Sequence, residues 1–277
     1  GFDYCYSILA PIWDDFLLIW RQLYKAQITI FGGTCMRKGQ RQPLTRFGMA
    51  ETLGEPKGDL SEHGLDCAGS IHWNLPVETL VELAVSRGEG VYSAHKALVT
   101  ETGERTGRSP NDKYIVDEAS TNGDINWGDV NISTDLETFN RMRAKVVDYL
   151  SKQQDLFVQD LYCGADFSEA LPIRVINQNA WHNAFARNMF IRPSADQIDQ
   201  HSPEFTVFHA PHYEANAEHD GLNSQCFVMV NYEATEVIIG GTRYAGEIKK
   251  SIFSVMSLIL PKKGILPMHC SANTTGE

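Results

Sequence analysis

Residues 238–250, Ile238-Ile239-Gly240-Gly241-Thr242-Arg243-Tyr244-Ala245-Gly246-Glu247-Ile248-Lys249-Lys250, read as a strand, a glycine-rich turn and the start of a helix. The run that follows, 251–260, is mostly apolar and stops at Pro261, which predicts a buried helix with Lys249 and Lys250 in its first turn. A turn of this kind exposes backbone N–H groups to an anion. Two lysines at a helix N-terminus oppose the macrodipole at a cost of about 0.3–1 kcal/mol each, so another interaction has to offset them. Successive helical residues point about 100° apart, so the two ammonium groups serve different faces: one toward a ligand, the other in support. A solvated lysine pair is the plain alternative, and the segment alone does not decide between the two.

Outward from this stretch, strand and helix patterns alternate. A helix is predicted over 76–87, with Asn74 as cap, Gly88 as stop and Leu80, Leu83 and Ala84 on its buried face. Strands over 97–100 and 113–116 flank a turn-rich segment, 101–112, that carries Arg108. A second helix is predicted over 135–152, capped by Thr134, with Leu136, Phe139, Met142, Val146, Tyr149 and Leu150 on its apolar side. Strands over 156–161, 173–176, 205–209, 226–231 and 237–239, and a short helix over 181–190, complete a mixed α/β or α+β layer architecture.

Composition narrows the function. The 277 residues are 43% hydrophobic, enough for a sizeable core, and carry a formal charge of −11. That balance argues against a nucleic-acid backbone or an anionic membrane as partner, because no net positive field draws in phosphates. A small anion needs cations gathered locally. Cys5, Cys35, Cys67, Cys163, Cys226 and Cys270 form no C-x-x-C pair, so reduced thiols in a cytoplasmic protein are expected, without a zinc site or disulfide framework. The apolar run 16–20 is far short of the roughly 20 residues that span a bilayer. Residues 1–48 hold six Lys/Arg against three Asp/Glu, whereas the remainder sums to −14. Met49-Ala50-Glu51 is therefore the expected native start, and 1–48 an upstream or non-native extension; a genuine extension of about one helix is the rival reading.

Two further segments carry chemistry. In Thr106-Gly107-Arg108-Ser109-Pro110, glycine and proline set a turn from which Arg108 offers a fork-shaped grip on a carboxylate. Met268-His269-Cys270-Ser271-Ala272-Asn273 places a histidine after the apolar pair Ile265-Leu266. Taken singly, a loop arginine is usually solvated, and such a histidine is more often a core residue than a metal ligand. His209-Ala210-Pro211-His212 reads as a surface loop, His182 beside Trp181 as a packing residue, and neither Asp14-Asp15 nor Glu214 with Glu218 as an acid–base pair.

Together, 106–116 (TGRSPNDKYIV), 160–166 (DLYCGAD), 180–193, 240–250 and 268–273 (MHCSAN) resemble the ATP-utilising phosphoenolpyruvate carboxykinases, in the family's order and over about 60–273. The resemblance implies a gluconeogenic lyase that decarboxylates oxaloacetate and phosphorylates the enolate with ATP, giving phosphoenolpyruvate, CO2 and ADP. It implies that Arg108 and Tyr244 contact substrate, and that Lys249 and Lys250 are catalytic. Lys250 and His269 would ligate Mn2+ and meet the nucleotide, Lys250 would also touch substrate, and Mg2+ would accompany ATP. Lysine ligates only as the neutral amine, which the neighbouring Lys249 cation would favour. Residues 49–264 would be the substrate-binding domain, 265–277 the start of the nucleotide-binding domain, and the protein a monomer.

One departure is large. The family's G-x-x-x-x-G-K-[ST] loop should follow MHCSAN, yet these residues contain no Gly-Lys dipeptide and end at Thr274-Thr275-Gly276-Glu277. The purified chain is therefore expected to be a fragment without ATP-dependent turnover of oxaloacetate. The alternative is a non-catalytic dicarboxylate-binding remnant that keeps Arg108, Tyr244 and the lysines. The GTP-using class fits the quoted motifs less well.

Overall fold

The computed structural model describes residues 29–30, 60–67, 69–166 and 168–270. Cys5, Cys35, the boundary expected at 48/49 and the stretch 271–277 lie outside the described residues.

Short apolar runs, buried on both faces at the centre, build an eight-stranded mixed sheet. Its strands are β1 (Ser70–Trp73), β2 (Lys113–Val116), β3 (Ile132–Thr134), β4 (Asp155–Cys163), β5 (Leu171–Asn177), β6 (Phe205–Ala210), β7 (Phe227–Asn231) and β8 (Glu236–Gly240). The spatial order is β1-β4-β5-β6-β8-β7-β2-β3, antiparallel at β4/β5 and β8/β7 and parallel elsewhere. This is the mixed α/β class expected from the sequence. Four longer helices pack against the sheet: α1 (Val77–Ser86), α2 (Leu136–Ser151), α3 (Ala180–Met189) and α4 (Gly246–Lys262).

The two-residue strand period sorts the core into layers. Phe208, Phe227, Met229 and Ile238 join Phe139, Met142, Val146 and Leu150 of α2 on one face. Their neighbours Val207, Val228, Val230, Val237 and Ile239 meet Ile248, Ile252, Val255 and Met256 of α4 on the other. Each such side chain contributes about 1.5–3 kcal/mol when fully buried. Phe157 packs with α1 and α3 and with Ala245, so this third cluster reaches the residue just before α4. Across β4 and β5, the buried pair Asp160 and Arg174 meets at 2.8 Å, with the guanidinium 4.9 Å from the Trp73 ring centroid.

Several local expectations are corrected. Pro76, not Asn74, caps α1; the Asn74 side chain instead accepts the Asp160 N–H at 2.8 Å, and Asn74 adopts φ 51°. Asp135, not Thr134, caps α2 by accepting the Thr138 N–H at 2.6 Å, and Leu136 is 51% exposed, not buried. Leu98–Thr100 pairs only with Gly90–Tyr92, in a separate hairpin. Helix α4 passes through Pro261 and ends at Lys262, one residue after the proline. No helix among the described residues is long and apolar enough to cross a membrane.

Candidate functional site

Strand β8 runs into Gly241, which has φ +67°. A Cβ there would overlap the carbonyl oxygen of Gln225 and lie 3.0 Å from Cys226 Cα, so close approach of two backbones and the left-handed conformation both demand glycine. Thr242 Oγ1 then accepts the Tyr244 N–H at 3.1 Å, while Glu247 and Ile248 donate their N–H groups to the Tyr244 and Ala245 carbonyls. The turn was expected to offer its N–H groups to an anion; these three are already engaged.

The helix begins at Gly246, so Lys249 and Lys250 are its fourth and fifth residues, and the first turn holds Glu247 instead. Glu247 is buried, and its carboxylate accepts the Ser109 N–H at 2.8 Å. That bond ties the Arg108 turn to the start of α4.

Beside this tie lies a cavity of about 280 Å³ lined by Arg108, Lys113 and Lys250, with Asp124, Asn131 and Ser254 among its polar groups. Asp124 pairs with Lys262 at 2.6 Å, so the three lining cations leave the cavity positive. Lys113 Nζ donates to Asn131 Oδ1 at 3.3 Å and Ser254 Oγ at 3.1 Å. Burial, and then the Arg108 charge, lower Lys113 to about 8. Lys250 Nζ lies 5.5 Å from the Phe253 ring centroid.

Lys249 Nζ contacts His269 Nε2. Burial lowers the His269 pKa first, followed by the charges of Lys250, Lys249 and Arg108, so the imidazole is neutral at pH 7 and Nε2 accepts from Lys249. Arg108 and Lys250 thus share one cavity, and Lys249 and His269 meet beside it. Tyr244 is half-buried against Gly246, and neither it, Lys249 nor His269 lines the cavity. Among the described residues, no group of three or more His, Cys, Asp or Glu could hold a metal ion.

A pair of histidines under the turn departs from the sequence reading. His209 lies in β6 with no exposed surface, not in a surface loop, and its Nε2 is 3.1 Å from the Thr242 carbonyl oxygen. His212, two residues past the strand, is exposed. His182 packs on Trp181 as expected, with ring centroids 3.6 Å apart, but its Nε2 also lies 2.9 Å from the Arg243 carbonyl oxygen. Burial, above all, holds His182 well below its ordinary value and His209 at about 4. Sequence reasoning missed Lys113 and Glu247 as site residues. The available signal was Lys113 opening a strand five residues after Arg108, and a single acid set between the glycine turn and the lysine pair.

A family model described as phosphoenolpyruvate carboxykinase matches residues 69–277. Among curated relatives, the phosphoenolpyruvate carboxykinase (ATP) of Brevibacillus brevis is 52% identical over 206 residues, 74% of this chain and 39% of the relative. That of Geobacillus thermodenitrificans is 50% identical over 207 residues, 75% of this chain and 39% of the relative. The phosphoenolpyruvate carboxykinase (ATP) 2 of Moorella thermoacetica is 49% identical over 210 residues, 76% and 40% of the two chains. The chain therefore spans about 39–40% of the length of these relatives.

Proposed function

Because the chain belongs to the ATP-utilising phosphoenolpyruvate carboxykinase family, we propose that it supplies the substrate-binding part of an enzyme converting oxaloacetate and ATP to phosphoenolpyruvate, CO2 and ADP. The observation that carries this reading is the cavity shared by Arg108, Lys113 and Lys250. Oxaloacetate, its enolate and the transferring phosphoryl group are all anionic, and cations fixed before the reaction stabilise charge as it develops. Arg108 grips a substrate carboxylate; Tyr244, the second substrate contact expected from the sequence, lies outside the cavity lining. Lys250 faces substrate and the nucleotide phosphate, and Lys249 holds His269 in place. On this reading, 49–264 form the substrate-binding domain and 265–277 lead into the nucleotide-binding part of a gluconeogenic, cytoplasmic, monomeric enzyme.

The chemistry of His269 fits a divalent ion. Its ring is neutral, so the nitrogen that accepts from Lys249 carries a lone pair that a divalent ion would take in place of that hydrogen bond. His269 and Lys250, once its ammonium has given up a proton, would hold Mn2+, with Mg2+ accompanying ATP, and other ligands would come from elsewhere. The bound ion would supply Lewis-acid stabilisation to enolate and phosphoryl oxygens.

Calorimetric titration of the 277-residue chain with oxalate, a dianion shaped like the enolate's carboxylate end, tests the reading. Arg108→Ala should weaken binding by about 1.5–3 kcal/mol, roughly 10–150-fold, the value of a charge-assisted hydrogen bond. Absence of heat with the wild-type chain, or equal affinity for both chains, rejects it.

A further inference from the structure

A one-way chain of buried hydrogen bonds ends on the glycine turn. Arg187 Nη1 donates to Gln159 Oε1 at 2.9 Å, Gln159 Nε2 to Asn183 Oδ1 at 2.9 Å, and Asn183 Nδ2 to Asn177 Oδ1 at 2.9 Å. Asn177 Nδ2 lies 3.4 Å from His209 Nδ1, and His209 Nε2 3.1 Å from the Thr242 carbonyl oxygen. No member of the chain, from Arg187 to Thr242, is more than 6% exposed.

The two ends dictate the sense of every link. A guanidinium only donates and a carbonyl only accepts. Gln159 must turn its oxygen to Arg187, which turns its amide nitrogen to Asn183, and the same constraint passes through Asn183 and Asn177. His209 Nδ1 is left to accept, so the ring proton resides on Nε2. Reversing any amide would set two donors or two acceptors face to face, and a buried polar group left unpaired costs about 1–3 kcal/mol. His182 adds a parallel hold: its ring is 4.4 Å from that of His209, and its Nε2 meets the next carbonyl, that of Arg243.

We propose that Arg187, Gln159, Asn183 and Asn177 are positioning residues that fix the proton of His209 on Nε2, clamp the Thr242 carbonyl, and so hold the glycine turn in the one geometry that presents Lys250 to the cavity and sets Lys249 against His269 beside it. Only the ligand-binding readout of this proposal rests on the anion-site reading above. The groups facing His209 are the His182 ring, the His212 ring, the Asn177 amide and the Thr242 carbonyl, with Arg243 acting on both neighbouring histidines. Burial and His212 keep the imidazole neutral through the physiological range.

Asn177→Asp separates this role from simple packing. The aspartate keeps an oxygen for Asn183 but offers His209 a second oxygen in place of an N–H. With the aspartate ionised, His209 Nδ1 needs a proton while the Thr242 carbonyl still needs one on Nε2, and the imidazolium satisfies both. The variant's folded-state pKa rises above the unfolded value, so its hold on the turn is present at low pH and lost as pH climbs through that raised value.

Nitrogen-15 NMR of the imidazoles in the full chain should show wild-type His209 as the Nε2–H tautomer, without titrating, from about pH 5.5 to 8.5. In Asn177→Asp, His209 should titrate inside that window, and the ratio of wild-type to variant oxalate affinity should grow at least about fivefold from the acid to the alkaline end. Gln159→Glu provides a second route: it gives Arg187 a carboxylate partner, removes the N–H that Asn183 accepts, and should yield mixed His209 tautomers without loss of fold. Mixed tautomers in the wild type, or variants whose His209 signals match the wild type, overturn the proposal. If the wild-type chain gives no heat with oxalate, the anion-site reading fails while the tautomer and titration data still decide this one.

Discussion

Gly241→Ala puts the turn's geometry to a quantitative test, with Gly107→Ala as its counterpart. At Gly241 the left-handed φ of +67° costs a non-glycine residue about 1–2 kcal/mol. The added methyl would also overlap the Gln225 carbonyl and sit 3.0 Å from Cys226 Cα, and both obstacles are backbone, which cannot swing aside as a flexible side chain does. Overpacking of this kind costs about 1–3 kcal/mol more, for a total of roughly 2–5 kcal/mol. Gly107 has no atom within 4 Å of its Cβ position, so alanine there should be neutral, or stabilising by about 0.4–1 kcal/mol through the unfolded chain. With a urea m-value of about 1–3 kcal/mol/M, Gly241→Ala should lower the unfolding midpoint by roughly 1–2 M and Gly107→Ala should leave it within a few tenths. Circular dichroism at the helix band during urea titration measures both. Coincident midpoints for the two variants would refute the close-approach argument.

Two further outcomes follow from the cavity. Lys113 is held at about 8, so oxalate affinity should fall as pH rises through that value, and Lys113→Met should abolish most of the fall. The same lowered pKa means that the unfolded chain retains the proton longer. Wild-type stability should therefore rise relative to Lys113→Met between about pH 8 and 10.5, as read by urea midpoints; parallel pH profiles would count against a buried charge at this site. Glu247→Ala frees the Ser109 N–H and should weaken oxalate binding about tenfold, whereas Glu247→Gln retains an accepting oxygen and should keep most of the affinity; equal losses would exclude the hydrogen bond as the anchor.

The fold was largely legible because its signals are local. Phe139, Met142, Val146 and Leu150 recur at helical spacing, and Val237 and Ile239 bracket Ile238 at strand spacing, so each pattern named its element and its buried face. Several of the misses trace to a partner distant in sequence, and the others to the exact start of a helix. Asn74 resembles a cap until the Asp160 N–H claims its side chain, and Thr134 yields the cap to Asp135, whose carboxylate accepts the Thr138 N–H. Leu136 stands on the first turn of α2, where half its surface stays open. Arg108, Lys249, Lys250 and His269 were visible because glycine and proline punctuate their segments. Lys113 resembles any strand-opening lysine until Ser254 and Asn131 appear beside it. Pro211 suggested a loop, but it follows a strand that buries His209 completely.

Glu247 resolves the electrostatic conflict that the lysine pair poses in the sequence. An acid in the first turn of α4 complements the positive end of the macrodipole, where two lysines would have opposed it. The same carboxylate binds Ser109, so the group that favours helix initiation also draws in the loop carrying Arg108. Without that bond, Arg108 would approach Lys113 and Lys250 against like-charge repulsion. Glu247 acts on this crowding as well, since its charge raises the Lys113 pKa while Arg108 lowers it. The compensation is incomplete, because the three cations lining the cavity outnumber the one lining acid, Asp124, which already pairs with Lys262. The residual positive charge sits where the start of α4 and the Ser109–Glu247 bond place it, and it attracts an entering dianion. That arrangement suits an anionic ligand, and the placement of one glutamate helps to set it up.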